Sequence, residues 1–348
     1  MNKKLLLALS GGVDSSASAE LLIKRGYFVS GVVMLMSDGQ EKTAALAREA
    51  SRQLGIRLYE LDLRKEFKST IIDYFISEYL AGRTPSPCVK CNPEIKFKQL
   101  LSLAESEGFD YIATGHYARV QRIGRAYRLA VARDLSKDQS YMLAGLDGSV
   151  LSRLVLPLGE LTKSEVRELA KSTGLSSWDA PDSQENCFIP SGDYREYISQ
   201  HAKASPPGDI ISPEGSVCGR HSGIYSYTIG QRKGLGVALG RPAFVSKIDP
   251  ENALVYLSYD KKTTDRVRLQ SFRESYPGAV SQGMSCLCRL RSTGKLLKAK
   301  LSLLDEGGAK LLLDSPTPSV SSGQAGVVYS VDDIPAVLGM GTVEDIQS

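Results

Sequence analysis

Nowhere in this 348-residue chain does an apolar run approach the ~20 residues that a membrane-spanning helix needs. Lys3 and Lys4 ahead of Leu5–Leu9 imitate the start of a secretory signal. The run is too short, however, and Asp14 follows with no small-residue cleavage site. Membrane and secretory routes are set aside, and a cytoplasmic protein is expected. Charge of one sign is scarce as well: 43 basic against 39 acidic residues leave +4, a weak tilt toward a polyanionic partner. Internal repeats and low-complexity tracts are missing. The 42% hydrophobic and 24% charged content is that of an ordinary globular protein. Only one C-x-x-C pair occurs, Cys88 and Cys91, so a structural zinc site, which usually joins two such sets, is not expected. In a reducing compartment the six cysteines read as buried, reactive or metal-bound rather than as a disulfide framework.

The Gly-Lys-Ser/Thr ending of a Walker A loop is also missing. What stands in its place is Ser-Gly-Gly-Val-Asp-Ser-Ser at residues 10–16, directly after the buried-strand pattern of Leu5–Leu9 and before helix formers from Ala17. Gly11 and Gly12 let the backbone turn sharply and bare successive N–H groups. With the Ser10 and Ser15 hydroxyls and the positive end of the helix, these make a site for phosphate oxygens. The loop resembles the PP-loop of ATP pyrophosphatases, which split ATP into AMP and pyrophosphate.

At this length two or three domains are expected. Strand patterns at Phe28–Met34, Ile56–Leu61 and Tyr111–Thr114 alternate with helical ones at Glu41–Leu54, Glu66–Leu80 and Glu94–Glu107, which implies βαβ units and a parallel sheet. The Ser10 loop, Met34 and Gly115-His116 all fall at carboxyl ends of strands, where such sheets bind ligands. After about residue 204 short strand patterns take over, beginning with Gly223–Ile229. The expected fold is therefore α/β: a Rossmann-like parallel-sheet PP-loop domain over 1–203, a central β-rich module over 204–264 and a C-terminal β-barrel over 265–348.

Gly82 to Pro93 is rich in turn formers and reads as a loop just before a helix at Glu94. There, with Lys90 and Lys96 close by, a Cys91 thiol should have a depressed pKa. Cys187 lies in a second polar segment, residues 180–190. The cysteine loop with Ile95-Lys96-Phe97, the stretch from Thr114 to Arg119, Lys137-Asp138-Gln139-Ser140-Tyr141 and Tyr227 to Leu235 together resemble the tRNA-specific 2-thiouridylase family.

That resemblance implies ATP-dependent 2-thiolation of the wobble uridine of tRNA. ATP adenylates the uracil C2 oxygen, so that AMP rather than oxide leaves when sulfur arrives. Cys187 would carry the sulfur as a persulfide. Cys91 would attack the base or release sulfide, and a Cys91–Cys187 disulfide would remain. Ala8, Leu9, Ser10, Gly11, Gly12, Val13, Asp14, Ser15, Met34 and Gly115 would bind ATP, with Asp14 a candidate holder of Mg²⁺. Ser86, Pro87 and Cys88 would face the target base, and His116, Lys137, Asp138, Gln139, Arg289 and Gln324 the tRNA. The expected partners are tRNA and, as sulfur donor, a cysteine desulfurase or relay protein. Cys88 replaces an aspartate found in some members, and Arg289-Leu290 replaces an Arg-Tyr pair. Two alternatives stand beside this reading: a PP-loop synthetase acting on a small molecule, and thiolation through a [4Fe-4S] cluster on Cys88, Cys91 and Cys187.

Overall fold

The computed structural model describes residues 3–124, 126–174, 178–179, 187–189, 192–202, 205–305, 307–318 and 320–344. The expected boundary at 203/204, the polar stretch 180–186 and residues 345–348 lie outside these. The first sheet takes β1 (Lys4–Ala8), β2 (Phe28–Leu35), β3 (Leu58–Asp62) and β4 (Tyr111–Ala113); then, after a hairpin of β5 (Arg119–Ile123) and β6 (Ala126–Ala130), it adds β7 (Leu154–Val155). All of its pairings are parallel, in the order β3-β2-β1-β4-β7. Leu5, Leu6 and Leu7 are fully buried, as a strand covered on both faces requires. The strand order reverses between β1 and β4, which opens a crevice at their carboxyl ends.

Helices α1 (Val13–Lys24) and α2 (Glu41–Leu54) follow β1 and β2, and α2 stops at Gly55 in the left-handed region. Next come α3 (Arg64–Phe67) and α4 (Asp73–Leu80), joined by a π-helical turn over Lys68–Ile72. The expected loop from Gly82 to Pro93 is corrected in its second half. Helix α5 (Pro87–Cys91) already begins there, continues through a π-helical turn (Asn92–Phe97) and runs on as α6 (Lys98–Ser106). Pro87 suits a first helical position, where its missing N–H costs nothing. Pro93 cannot donate within a helix, and the chain widens around it instead of breaking. Helices α7 (Gly148–Leu151), α8 (Lys163–Ser172) and α9 (Tyr194–His201) complete this part.

Beyond it, β8 (Gly208–Ile211), β9 (Val217–His221), β10 (Phe244–Asp249) and β11 (Leu254–Ser258) form a four-stranded sheet. The strand expected over Gly223–Ile229 is only a 3-10 turn at Ile224–Ser226. Ile224, Tyr225 and Tyr227 are all buried, a pattern that one face of a strand cannot meet. Six strands then close an antiparallel barrel: β12 (Thr263–Glu274), β13 (Ser285–Arg289), β14 (Leu297–Leu304), β15 (Gly308–Pro318), β16 (Ala325–Tyr329) and β17 (Val337–Val343). Cys286 and Cys288, two apart on β13, share a face and fill the barrel core.

The barrel is welded to the first domain. Val327, Tyr329 and Val337 join the same apolar core as Phe97, Tyr141 and Phe188. At its edge Asp138 and Arg289 form a buried ion pair, Nη1 to Oδ2 at 2.6 Å, with side chains 0% and 6% exposed. Asp138 also accepts from the Ala132 N–H at 2.9 Å and the Ser140 hydroxyl at 2.7 Å. Removing one partner strands the other charge without water. Arg289→Ala is expected to destabilise the protein by about 3–5 kcal/mol, and the double change Asp138→Asn with Arg289→Met by clearly less. Urea midpoints check this, and equal losses in the two variants would contradict it.

Candidate active site

The glycine turn between β1 and α1 is locked by its own serines. Ser10 Oγ lies 3.2 Å from Ser15 Oγ, and Ser15 donates to the Gly12 carbonyl at 3.1 Å. Gly11 has φ +77°, and a Cβ there would fall 2.4 Å from the Leu46 carbonyl carbon, so no other residue fits. Gly12 caps α1 without a side chain, which leaves the first-turn amides facing outward for an anion. Met34 sits near the end of β2 on one flank. Gly115, just past β4, packs so closely that a Cβ would meet the Asp14 backbone at 3.1 Å. Asp14 itself is occupied: both carboxylate oxygens lie 2.7 Å from Lys163 Nζ, and the Tyr117 hydroxyl donates to Oδ1 at 2.7 Å.

From this turn the contacts lead to sulfur. His116, next to Gly115, pairs through Nδ1 with Thr114 Oγ1 at 2.8 Å and lies beside Phe97. Burial, with the Lys96 charge behind it, pushes its pKa down to about 3, so the ring is neutral. Lys96 is also within electrostatic reach of Cys88, Cys91 and Cys187. Burial alone would lower the Lys96 pKa; the three thiols, Cys91 foremost, more than offset it and leave it raised. Cys91 is 4% exposed, Cys88 half-buried and Cys187 exposed. Cys187 stands at the surface because its neighbours Phe188 and Ile189 are buried anchors; Phe188 packs edge-on against Phe67 and Phe75.

The depressed pKa expected for Cys91 is corrected. Burial pushes its thiol up to about 12 against the pull of Lys96, and Cys187 and Cys88 push the same way. Cys88 is raised too, again by burial first. Cys91 lies inside the continuous run from α5 through the π-helical turn to α6 rather than just ahead of a helix, so it misses the favourable end of the dipole. Among the described residues no group of three or more His, Cys, Asp or Glu is arranged to hold a metal ion. As they stand, Cys88, Cys91 and Cys187 do not present the ligand set of an iron–sulfur cluster. Asp14, taken up by Lys163 and Tyr117, is likewise not poised as a Mg²⁺ ligand.

The cysteine loop is gripped from two sides. The Thr84 N–H donates to the Ser322 carbonyl at 2.8 Å, and Gln324 Nε2 donates to the Thr84 carbonyl at 2.9 Å. Ser86 Oγ accepts from the Ala325 N–H at 3.2 Å and sits 3.2 Å from the Tyr141 hydroxyl, which donates to the Ala325 carbonyl. Gln139 exchanges two hydrogen bonds with the Tyr117 backbone. Thr84, Ser86, Gln139, Tyr141 and Gln324 border a cleft of about 740 Å³ between the cysteine loop, residues 135–142 and the barrel loop 292–296. Ser86, Pro87, Cys88, Lys137, Asp138, Gln139, Arg289 and Gln324 all line it. The side chains of Asp138, Gln139, Arg289 and Gln324 are engaged inside the protein.

Family models match the chain end to end: a tRNA methyl transferase HUP domain over residues 3–191, a tRNA methyl transferase PRC-barrel domain over 195–259 and an aminomethyltransferase beta-barrel domain over 264–343. The tRNA-specific 2-thiouridylase of Carboxydothermus hydrogenoformans is 41% identical, covering 98% of both chains. The chain belongs to the tRNA-specific 2-thiouridylase family. Its counterpart in Roseiflexus castenholzii is 39% identical over 98% of this chain and 99% of its own length. A solved 4-thiouridine synthetase–RNA complex with bound ATP aligns with a TM-score of 0.33 at 23% identity, over 57% of this chain and 50% of that one, a likeness too slight to carry an argument. The family's α/β Rossmann-like domain followed by two β-rich ones is the architecture seen here.

Sequence reasoning missed Lys163 and Tyr117 at the glycine turn and Tyr141 under the cysteine loop. Lys163 carried one signal: Thr162 and Glu165 make a capping-box pattern, and a lysine just inside it opposes the helix dipole. Iodoacetamide should label Cys187 first. Cys91 should lag at pH 7 by about tenfold or more and then speed up about tenfold per pH unit toward its pKa, as its thiolate fraction grows. Mass-spectrometric labelling rates check the order, and equal rates for Cys91 and Cys187 at pH 7 would contradict it.

Proposed function

We propose that this chain is an ATP-dependent tRNA sulfurtransferase that converts the wobble uridine to 2-thiouridine, with sulfur drawn from a persulfide on Cys187. One observation carries the reading: the glycine turn, Gly115-His116, Lys96 and the thiols of Cys88, Cys91 and Cys187 form one continuous neighbourhood. A carbonyl-activating site and a sulfur-transfer site belong together only where oxygen is exchanged for sulfur. The names of the relatives agree with it.

The chemistry follows from the residues. The uracil C2 oxygen, brought into the cleft, attacks the α-phosphorus of ATP. The bond to the bridging oxygen breaks, and pyrophosphate leaves with its electrons. The amides at the start of α1 bind the phosphates. Mg²⁺ carried in on ATP would neutralise phosphate charge. An exposed Cys187 is open to a cysteine desulfurase or relay protein that loads sulfane sulfur onto it. Cys91, buried and protonated at rest, is kept from wasting that sulfur. Once it gives up its proton, the Cys91 thiolate attacks the Cys187 sulfur, hydrosulfide leaves, and a Cys91–Cys187 disulfide forms. Hydrosulfide adds to C2, and AMP departs with the electrons of the C2–O bond. A dithiol reductant then returns two electrons to the disulfide.

Lys137 and Lys295, the two lysines that line the cleft, supply the positive charge that would meet the tRNA backbone. Asp138, Arg289 and Gln324 act by holding the cleft's walls. Incubation with ATP, Mg²⁺, a cysteine desulfurase, cysteine and unmodified tRNA should give a mercury-gel shift, with one AMP and one pyrophosphate released per thiouridine. Cys91→Ser and Cys187→Ser should each abolish the shift. Pyrophosphate release that ignores tRNA would favour a small-molecule synthetase instead.

A further inference from the structure

We propose that Lys163 is the phosphate-contacting cation of the nucleotide site, positioned there by Asp14 and Tyr117. The inference rests on the reading that the glycine turn binds ATP, and it adds a residue that the turn itself does not contain. Lys163 is the first residue of α8, where the positive end of the helix dipole disfavours a cation. The chain nevertheless fixes it firmly. Thr162 and Glu165 close a capping box around it, and its own N–H donates to Asp134 Oδ2 at 3.1 Å. Val166 on α8 packs with Ala17 on α1 and with Tyr117, which sets the spacing of the two helices.

The ammonium therefore reaches the first turn of α1, on whose outward amides the phosphates would rest. Its side chain is 12% exposed and that of Asp14 32%. A largely desolvated Lys–Asp pair is a poor device for stability alone. At the mouth of a polyanion site it has a clear electrostatic use. An uncompensated Asp14 would repel the phosphates, and Lys163 cancels that charge while holding a compact cation beside the amides. Asp14 accepts from Lys163 on both oxygens and from Tyr117 on one, so it orients the ammonium. In this arrangement Asp14 is a positioning residue for a lysine rather than a metal ligand.

Calorimetric titration of the full chain with ATP, pyrophosphate and adenosine tests this. Lys163→Gln should weaken ATP and pyrophosphate by about tenfold or more, the scale of one lost charge-assisted contact, with adenosine held within about twofold. Lys163→Arg should recover most of the loss. Asp14→Asn should weaken ATP with or without Mg²⁺; a defect that disappears in EDTA would make Asp14 a metal ligand and overturn its assigned role. Equal weakening of ATP and adenosine in Lys163→Gln, or no weakening, overturns the proposal while the nucleotide site stands. Failure of the wild-type chain to bind ATP would sink both. Should Lys163→Gln not fold, reductive methylation of the wild type gives the answer: ATP, but not adenosine, should shield the Lys163 amine, and equal labelling rejects the proposal.

Discussion

The Asp138–Arg289 ion pair sits where the barrel meets the first domain, and the geometry of the sulfur site hangs from that junction. Asp138 orders the 137–142 loop through Ala132 and Ser140. Arg289 reaches it from the barrel, with its guanidinium over the Tyr329 ring. Around this pair the Tyr141 hydroxyl, Ser86 and Gln324 tie the cysteine loop to the strand that starts at Ala325. A loop carrying a nucleophile two domains away from its support would wander. Here its backbone is held by bonds that are buried or partly buried. The barrel thus forms one wall of the cleft beside the cysteine loop.

Electrostatics divide the site into two regimes. At the glycine turn the charge is arranged in advance: amides, a helix end and the Asp14–Lys163 pair. At the cysteines it is withheld. Burial raises the Cys91 and Cys88 thiols despite the nearby Lys96 cation, and the same burial keeps His116 neutral.

Legibility in the sequence followed locality. Ser10 to Ser16 was readable because strand, turn and helix are contiguous in the chain. Helix α2 matched its expected bounds because its cap, Gly55, is encoded beside it. The cysteines were readable as a set, but not their protonation, because the burial of Cys91 comes from packing of the whole first domain. Lys163 escaped because its partner Asp14 is 149 residues away. Asp138 and Arg289 were read as RNA contacts, yet their side chains close on each other across 151 residues. The π-helical turn around Pro93 escaped for a different reason: proline normally ends a helix, and here tertiary contacts such as Asn92 Nδ2 to the Met142 carbonyl, 2.7 Å, carry the chain through.

The central claim is that Cys91 and Cys187 act on one sulfur atom beside the nucleotide turn. It is tested most directly by a single turnover of persulfide-loaded enzyme with ATP and tRNA in the absence of reductant, followed by mass spectrometry of the protein and nucleoside analysis of the tRNA. The account predicts one Cys91–Cys187 disulfide for each 2-thiouridine formed. Thiouridine made while Cys91 remains a free thiol would contradict it.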